Sequence, residues 1–321
     1  MHRCKIKTEN RIFIQNEEYQ RVEHAIANEI FRYGCKKAQE ELLGQTYKEE
    51  VRVYQEEFSL PYKRNMFGLL IIPIYINHVK FNFLFDTGAQ ISGLRMQCFK
   101  KAQVKYSKEE LSVGSIGGSQ KALKGCIVDS LVFGGREYLH KPMILLDDDV
   151  FALRFGKMDL VNFDGIIGWD ILSQLDFECD DVAQVIKVIK NKFKFPCQNM
   201  IKGSFPICLV KDDRGKVFVF GFDSGSKLSW INKKLIENEH LKVVCDGEAM
   251  GFGVHGKEKL AIKIVDRMDV QLDRGKISLF GVNTGKCDLF PHFEVDGVFG
   301  NEIFRNRRMR IVNSRNVILL V

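Results

Sequence analysis

The sequence predicts a mainly β protein built from two homologous lobes, preceded by a short N-terminal helical extension. Three observations lead to this prediction. From about residue 66 onward, short runs rich in Val, Ile, Leu and Phe alternate with Gly, Asn and Asp, which is typical of strands and tight turns. A short motif ending in an acidic residue occurs twice in this region. Earlier in the chain, apolar side chains instead recur at helical spacing.

The helical extension is predicted over residues 16–43. Apolar side chains recur there at steps of three and four residues, with acids early and lysines later, as in an amphipathic helix. We expect this helix to pack on the main body; a pro-segment and an oligomerisation helix are the alternatives. The resulting division is an extension at 1–60, a first lobe at 61–196 and a second lobe at 197–321.

The composition argues against several classes of function. The chain has 321 residues, of which 45% are hydrophobic and 28% charged, an ordinary globular balance. The net charge of +7 is spread along the chain, and its densest basic cluster, at 304–310, has no RNA-binding motif or DNA-reading helix beside it. We therefore expect no nucleic-acid partner. No apolar run approaches the roughly 18 residues of a membrane span.

The cysteines, the histidines and the start of the chain favour a cofactor-free protein of a reducing compartment. The nine cysteines include no CxxC pair, and the seven histidines show no metal-binding spacing, so we expect neither a metal nor another cofactor. The first residues, MHRCKIKTEN, lack the apolar region of a signal peptide. We expect a cytoplasmic protein; an exported or periplasmic one is the alternative if the true N-terminus lies upstream.

The repeated motif reads FNFLFDTGA in its first copy and VFVFGFDSGS in its second. In each copy a strongly apolar strand ends on an acid, Asp86 or Asp223. A single acid after a strand is an ordinary turn residue, whereas two copies in matching surroundings indicate a shared role. The other matching pairs are Thr87 and Ser224, Gly88 and Gly225, Ala89 and Ser226, and Ser92 and Ser229.

A second pair of segments supports the duplication. Residues 164–189 (DGIIG…) and 296–321 (DGVFG…) align without a gap and share six identical positions. Between each acid and its aligned segment lies a glycine-rich turn, SIGGS at 115–119 in the first copy and GFGVHG at 251–256 in the second. The same landmarks in the same order at similar spacing indicate two homologous lobes.

FDTGA and FDSGS, each followed by an apolar-apolar-Gly element, resemble the motifs of the aspartic peptidases. The compact lobes are similar to a retropepsin subunit, whereas two lobes in one chain are similar to the pepsins. The resemblance covers roughly residues 66–321 and implies two β-barrel lobes with one active site at their junction. It also implies that each glycine-rich turn is a flap over the cleft. The flap candidates are Gly117, Gly118, Gly253 and His255.

The resemblance implies that Asp86 and Asp223 form the catalytic pair. Two carboxyl groups at hydrogen-bonding distance share one proton, so one can activate a water while the other donates to the developing oxyanion. The supporting residues would bond across the junction or leave room for the carboxylates, and Ser226 could add a hydrogen bond; they are Thr87, Gly88, Ala89, Ser224, Gly225 and Ser226. We expect a monomeric aspartic endopeptidase acting on a peptide or protein substrate.

Other interpretations of the same residues stay open at this point. The main alternative is a non-catalytic peptide- or protein-binding module on the same fold. A nucleotide site at GFGVHG is disfavoured because the residues that follow it read as a strand, not a helix. Among the remaining acids, we expect Asp164 and Asp296 to cap turns. We expect Asp170 and Glu302 to lie in the first turns of short helices.

Overall fold

A computed structural model gives the structure of the chain. It describes residues 14–26, 29–44, 47–114, 120–148, 154–155, 158–159, 163–192, 194–253, 256–285 and 294–321. The helices are α1 (Asn16–Ile26), α2 (Glu29–Leu43), α3 (Phe99–Ala102), α4 (Trp169–Leu172) and α5 (Lys234–Asn238), with 3-10 turns at Met96–Cys98, Asn301–Phe304 and Asn313–Arg315.

Strands make up most of the described structure. They are β1 (Glu50–Val53), β2 (Phe58–Pro61), β3 (Lys63–Arg64), β4 (Leu70–Ile76), β5 (Val79–Phe85), β6 (Gly93–Arg95), β7 (Lys105–Gly114), β8 (Gln120–Phe133), β9 (Arg136–Leu146), β10 (Arg154–Phe155), β11 (Met158–Asp159), β12 (Gly165–Ile167), β13 (Asp176–Asp180), β14 (Val185–Val188), β15 (Met200–Lys202), β16 (Pro206–Lys211), β17 (Val217–Phe222), β18 (Trp230–Asn232), β19 (Val243–Gly253), β20 (Gly256–Leu272), β21 (Gly275–Gly285), β22 (Gly297–Phe299), β23 (Arg308–Val312) and β24 (Val317–Leu320). The prediction of a mainly β protein is confirmed.

The first large sheet closes on itself as a ring of six strands. Neighbouring strands follow the order β4–β5–β12–β6–β9–β8, and β8 pairs again with β4. Along β5, Phe81, Phe83 and Phe85 are buried while Lys80 and Asn82 are exposed. Because side chains alternate between the two faces of a strand, this pattern turns the phenylalanines into the core of the ring.

A second sheet repeats this strand order. Its six-stranded ring runs β16–β17–β22–β18–β21–β20 and closes through the pairing of β16 with β20. Phe218, Phe220 and Phe222 of β17 are buried in the same alternation as the phenylalanines of β5. Each ring therefore holds one copy of the repeated motif on a central strand whose apolar side chains anchor it.

A third sheet joins the two rings. Its five strands follow the order β2–β14–β13–β23–β24, so three strands come from residues 58–188 and two from residues 308–320. The junction is the antiparallel pairing of β13 with β23, where Phe177 lies opposite Ile311. Backbone hydrogen bonds between distant parts of the chain thus hold the two rings together.

The predicted helix over 16–43 is observed as two helices that pack on different rings. Val22 and Ile26 of α1 are buried in one apolar cluster with Val298 of the second ring. Leu42 of α2 is buried in another with Ile166 of the first ring. Two separate helices can face two different surfaces, which one straight helix cannot. The extension then continues as strands, since β1 pairs with β9 and β2 pairs with β14.

Candidate active site

Two equivalent strand ends hold the acids of the repeated motif. β5 runs parallel to β12, and the Asp86 amide just beyond it donates to the carbonyl oxygen of Ile167 at 3.0 Å. β17 runs parallel to β22, and the Asp223 amide donates to the carbonyl oxygen of Phe299 at 2.9 Å. The apolar-apolar-Gly element therefore fixes the backbone of the acid in each ring.

Four hydrogen bonds lock the two acid loops to each other. The amide of Thr87 donates to the Ser224 hydroxyl at 3.0 Å, and the amide of Ser224 donates to the Thr87 hydroxyl at 3.0 Å. The Thr87 hydroxyl donates to the Phe222 carbonyl and the Ser224 hydroxyl to the Phe85 carbonyl, both at 2.9 Å. Thr87 and Ser224 are fully buried, so water does not compete for these bonds.

Backbone amides orient each carboxylate. One carboxylate oxygen of Asp86 accepts from the amides of Gly88 and Ala89 at 2.8 and 3.0 Å. The matching oxygen of Asp223 accepts from the Gly225 amide at 2.8 Å. Each acid thus has one oxygen held by its own loop, which leaves the other oxygen for contacts across the junction.

Ser226 completes the loop of Asp223 with its backbone. Its amide lies 3.2 Å from the same Asp223 oxygen that Gly225 contacts. Its hydroxyl donates to the Leu228 carbonyl oxygen at 2.9 Å, so it shapes the loop instead of bonding to the carboxylate.

The two carboxyl groups face each other across the junction. A Cβ atom placed on Gly88 would lie 2.5 Å from Cγ of Asp223, and one placed on Gly225 would lie 2.4 Å from Cγ of Asp86. Each carboxyl group thus lies against the loop that carries the other. Both acids remain partly exposed, so solvent reaches them. The arrangement can share one proton between two carboxyl groups beside accessible space.

One comparison with known proteins bears on this arrangement. The family model described as "gag-polyprotein putative aspartyl protease" matches residues 72–174. This segment runs from β4 through α4 and includes Asp86 with its loop. This segment is therefore similar to an aspartic peptidase family. No curated protein matches the chain.

The match confirms the predicted resemblance to the aspartic peptidases for residues 72–174. The second motif, with Asp223, lies outside the matched segment. The common origin of the two lobes and the division at residues 60 and 196 therefore stay predictions. What the structure adds is that both rings have one strand order and that both acids reach one junction.

The pKa values of the two facing acids are raised. Burial raises the pKa of Asp223 well above its ordinary value, and the neighbouring Asp86 raises it further through its charge and its hydrogen bond. Burial also raises the pKa of Asp86, although hydrogen bonds from Asp223 and from the amides of Gly88 and Ala89 act against it. The proton they share is therefore retained to higher pH than in an isolated carboxyl group.

A network of hydrogen bonds lies behind the loop of Asp86 and was not predicted from the sequence. Asp170 lies in the first turn of α4, as predicted, and its Oδ1 accepts from the amide and hydroxyl of Ser92 at 2.9 and 2.7 Å. The Ser92 hydroxyl in turn accepts from the Gly168 amide at 3.0 Å. The sequence repeat aligns Ser92 with Ser229, but it predicted no role for either serine.

The second lobe has a related network of hydrogen bonds. Glu302 lies in the first turn of its 3-10 helix, as predicted, and its Oε1 accepts from the Ser229 amide at 2.7 Å. The Ser229 hydroxyl accepts from the Gly300 amide at 3.0 Å. Equivalent serines therefore tie equivalent glycines to the following helix in both lobes. Only the duplicated serine position could have indicated this from sequence.

Asp164 and Asp296 act on the backbone, away from the facing carboxyl groups. Oδ2 of Asp164 accepts from the Asn82 amide at 2.8 Å. Oδ2 of Asp296 accepts from the Val219 amide at 2.8 Å. Each acid therefore holds an amide in the middle of the strand that leads to its motif, which is a structural role but not the predicted capping of a turn.

The strands flanking the glycine-rich turns form hairpins. β7 pairs antiparallel with β8, and β19 pairs antiparallel with β20 up to Gly253 opposite Gly256. The other flap candidates, Gly117, Gly118 and His255, lie outside the described residues. Their contact with a substrate stays a prediction.

The described residues contain neither a cluster of metal-binding side chains nor a helix that could cross a membrane. In this part of the chain no group of three or more His, Cys, Asp or Glu side chains could hold a metal ion. Nor does any helix within the described ranges have the length and apolar character needed to cross a membrane.

Proposed function

We propose that the protein is an aspartic endopeptidase in which Asp86 and Asp223 form one catalytic pair. The observation that supports this most strongly is the contact of the two carboxyl groups across loops that are bonded to each other. Such a pair needs rigid support, because two acids held close together repel each other once both are ionised. The buried threonine and serine of the two loops supply that support.

The raised pKa values suit general acid–base chemistry on a peptide bond. In the proposed reaction the ionised member of the pair takes a proton from a water as its oxygen attacks the carbonyl carbon. The protonated member donates to the carbonyl oxygen, and a proton then passes to the departing amine nitrogen. No covalent bond to the enzyme forms, so each acid returns to its starting state.

The test is the activity of Asp86→Asn and Asp223→Asn against a diverse peptide library. Each variant should lose at least about a thousandfold in kcat/KM, because an amide can neither take nor share the proton. Asp164→Asn and Asp296→Asn are the matched controls, since an amide oxygen can still accept the strand amide. The controls should stay within about tenfold of the unchanged protein.

The same assay across pH tests the shared proton. Activity should pass through a maximum bounded by two apparent pKa values that belong to the pair, with an optimum on the acid side of neutral. It should fall as the pH rises through the upper value, because both acids are then ionised. Full activity in either Asn variant, or a flat profile up to pH 9, would contradict the proposal. Peptide binding without cleavage at any pH would favour a non-catalytic binding module.

A further inference from the structure

A fully buried lysine lies behind the loop of Asp86. Lys141 on β9 has no exposed side-chain surface. Its ammonium group lies 2.9 Å from Oδ2 of Asp170, which is equally buried, and 3.1 Å from Oε1 of Glu49. A buried lysine stays charged only where acids compensate for the lost water. Burial alone would lower the pKa of Lys141, but Asp170 and Glu49 outweigh it, so its pKa lies above the ordinary value.

This ion cluster is continuous with the backbone of the candidate catalytic loop. One oxygen of Asp170 binds Lys141, and the other accepts both bonds from Ser92. Ser92 holds the Gly168 amide, and the residue before Gly168 accepts the Asp86 amide. The groups from Lys141 to Gly168 are buried and are joined by an ion pair and hydrogen bonds, so a shift at Lys141 cannot be absorbed by water there. The peptide bond to Ile167 then connects Gly168 to the acceptor of the Asp86 amide.

The N-terminal extension contributes to the cluster from two places. Gln39 of α2 donates to Oδ2 of Asp170 at 3.2 Å, and Glu49 just before β1 supplies the second carboxylate for Lys141. The face of the Tyr138 ring lies 5.9 Å from the ammonium group. Residues of α2, of the segment just before β1 and of β9 therefore meet at the buried ion pair of Lys141 and Asp170.

Among the described residues of the second lobe, no ion pair holds Glu302 in the way that Lys141 holds Asp170. Within the described residues, the remaining oxygen of Glu302 is buried and has no hydrogen-bond partner. Burial raises the pKa of Glu302 despite its bonds from Ser229. The two halves of the site are therefore supported differently, one by an ion pair and the other by a carboxyl group alone.

We propose that Lys141 is a positioning residue for the Asp86 half of the site, acting through Asp170 and Ser92, and that the N-terminal extension is part of this support. Lys141 touches no reacting atom in this role. It binds one oxygen of Asp170 while the other oxygen accepts both Ser92 bonds, and so it fixes the distance between the two facing acids. The catalytic consequence rests on the proposed function.

The test compares Lys141→Met with Lys105→Met, an exposed lysine that pairs with Asp129 at 3.0 Å. Two readouts are needed: kcat and KM separately, and hydrogen exchange of the segments that contain Asp86 and Gly168. Lys141→Met should lower kcat about tenfold to a hundredfold with KM within about threefold, because small displacements at a catalytic group are costly. It should also speed exchange in both segments, and Lys105→Met should do neither.

A double variant separates positioning from general stability. Lys141→Met leaves a buried carboxylate without its cation, whereas Lys141→Met with Asp170→Asn restores a neutral acceptor for Ser92. The double variant should therefore recover most of the lost kcat and the slow exchange, even if the single variant fails to fold. A double variant that is folded but as impaired as the single one, or that does not fold, would overturn the inference.

Failure of the inference can be told from failure of the proposed function. If the unchanged protein cleaves peptides and Asp86→Asn does not, unchanged kcat and exchange in Lys141→Met would reject Lys141 alone. If the unchanged protein cleaves nothing, the proposed function fails. The exchange comparison then still decides whether Lys141 holds the Asp86 loop.

Discussion

At the scale of single residues, Gly88 stands where no side chain fits. Its neighbour across the junction is the carboxyl group of Asp223, which a Cβ atom would approach to 2.5 Å. Real Cβ atoms do not approach other heavy atoms so closely, so a side chain would force the facing acids apart. The glycine of the motif is required by packing at the junction and not by the conformation of its own backbone.

Gly88→Ala should lower kcat/KM at least about a hundredfold, because the two carboxyl groups can no longer share a proton at their present distance. Gly247→Ala in β19 is the matched control, since the nearest atom to its added Cβ would lie 3.4 Å away. The measurement is steady-state cleavage of one peptide by both variants. Equal activities would show that the facing arrangement is not needed for catalysis.

At the scale of elements, Leu42 is a buried apolar contact between α2 and the first ring. Leu42 is 2% exposed, and its Cδ2 lies 2.5 Å from the Cβ that an alanine would place at Gly125 of β8. Beside it, the Ser107 hydroxyl donates to the Leu42 carbonyl oxygen at 2.6 Å. Glycine in β8 thus makes the recess that the leucine fills.

Leu42→Ala should cost about 2–5 kcal/mol of unfolding free energy, the range for deleting a buried leucine side chain. Glu40→Ala on the same helix removes only an exposed pair with Lys36 at 3.7 Å, so it should change that free energy by less than about 0.5 kcal/mol. Urea unfolding of both variants gives the comparison. A loss as small as that of the control would mean that α2 does not depend on this contact.

At the scale of the whole molecule, a buried arginine joins the two lobes. Arg64 binds Asp181 at 2.6 Å and donates to the Asn301 side-chain oxygen at 2.8 Å. The Asn301 amide group donates to the Ser224 carbonyl oxygen at 3.2 Å, beside Asp223. Asp181 also accepts from the Tyr62 hydroxyl at 2.6 Å. The loop of the second acid therefore rests on side chains from the first half of the chain.

Arg64→Met should cost about 3–5 kcal/mol at neutral pH, because it leaves the buried Asp181 carboxylate without its cation. Burial would raise the pKa of Asp181, but bonds from Tyr62, the Asn306 amide and Arg64 outweigh it, so the folded-state pKa lies below the ordinary value. The stability that the ionised Asp181 carboxylate supplies is therefore present above a pH of about 4, and it is lost as the pH falls further.

The measurement is urea unfolding of the unchanged protein and Arg64→Met at pH 7 and at pH 3. The difference between them should be large at pH 7 and smaller at pH 3. Arg52→Met, which breaks an exposed pair with Glu50 at 3.1 Å, should have little effect at either pH. A difference that does not change with pH would show that Asp181 is not the partner that matters.

Much of the fold and the pair Asp86 and Asp223 could be predicted because the motif that carries each acid occurs twice in the sequence. Matching motifs located Asp86 and Asp223, and alternating phenylalanines identified the strands that carry them. Short-range signals also located the first-turn acids Asp170 and Glu302. These features depend on neighbours in the chain, which is what a sequence pattern reports.

The supporting network was not predictable in the same way. Lys141 and Arg64 read as surface residues, since lysine and arginine are rarely buried unless paired, and their partners stand far away in the sequence. The packing of α1 on one ring and of α2 on the other was also not predicted, because helical spacing does not show which surface a helix covers. Such contacts depend on the completed fold.

The five-stranded sheet has a consequence for the order of events during synthesis. The ribosome delivers the first acid loop long before the second, since the residues of the interlocking pair Thr87 and Ser224 stand 137 positions apart. The sheet that ties the rings together stays unfinished until β23 and β24 emerge. A nascent polypeptide therefore cannot bring the two facing acids into this arrangement until nearly all of the described chain has been translated. Under the proposed function, cleavage of a neighbouring polypeptide would start only after that point.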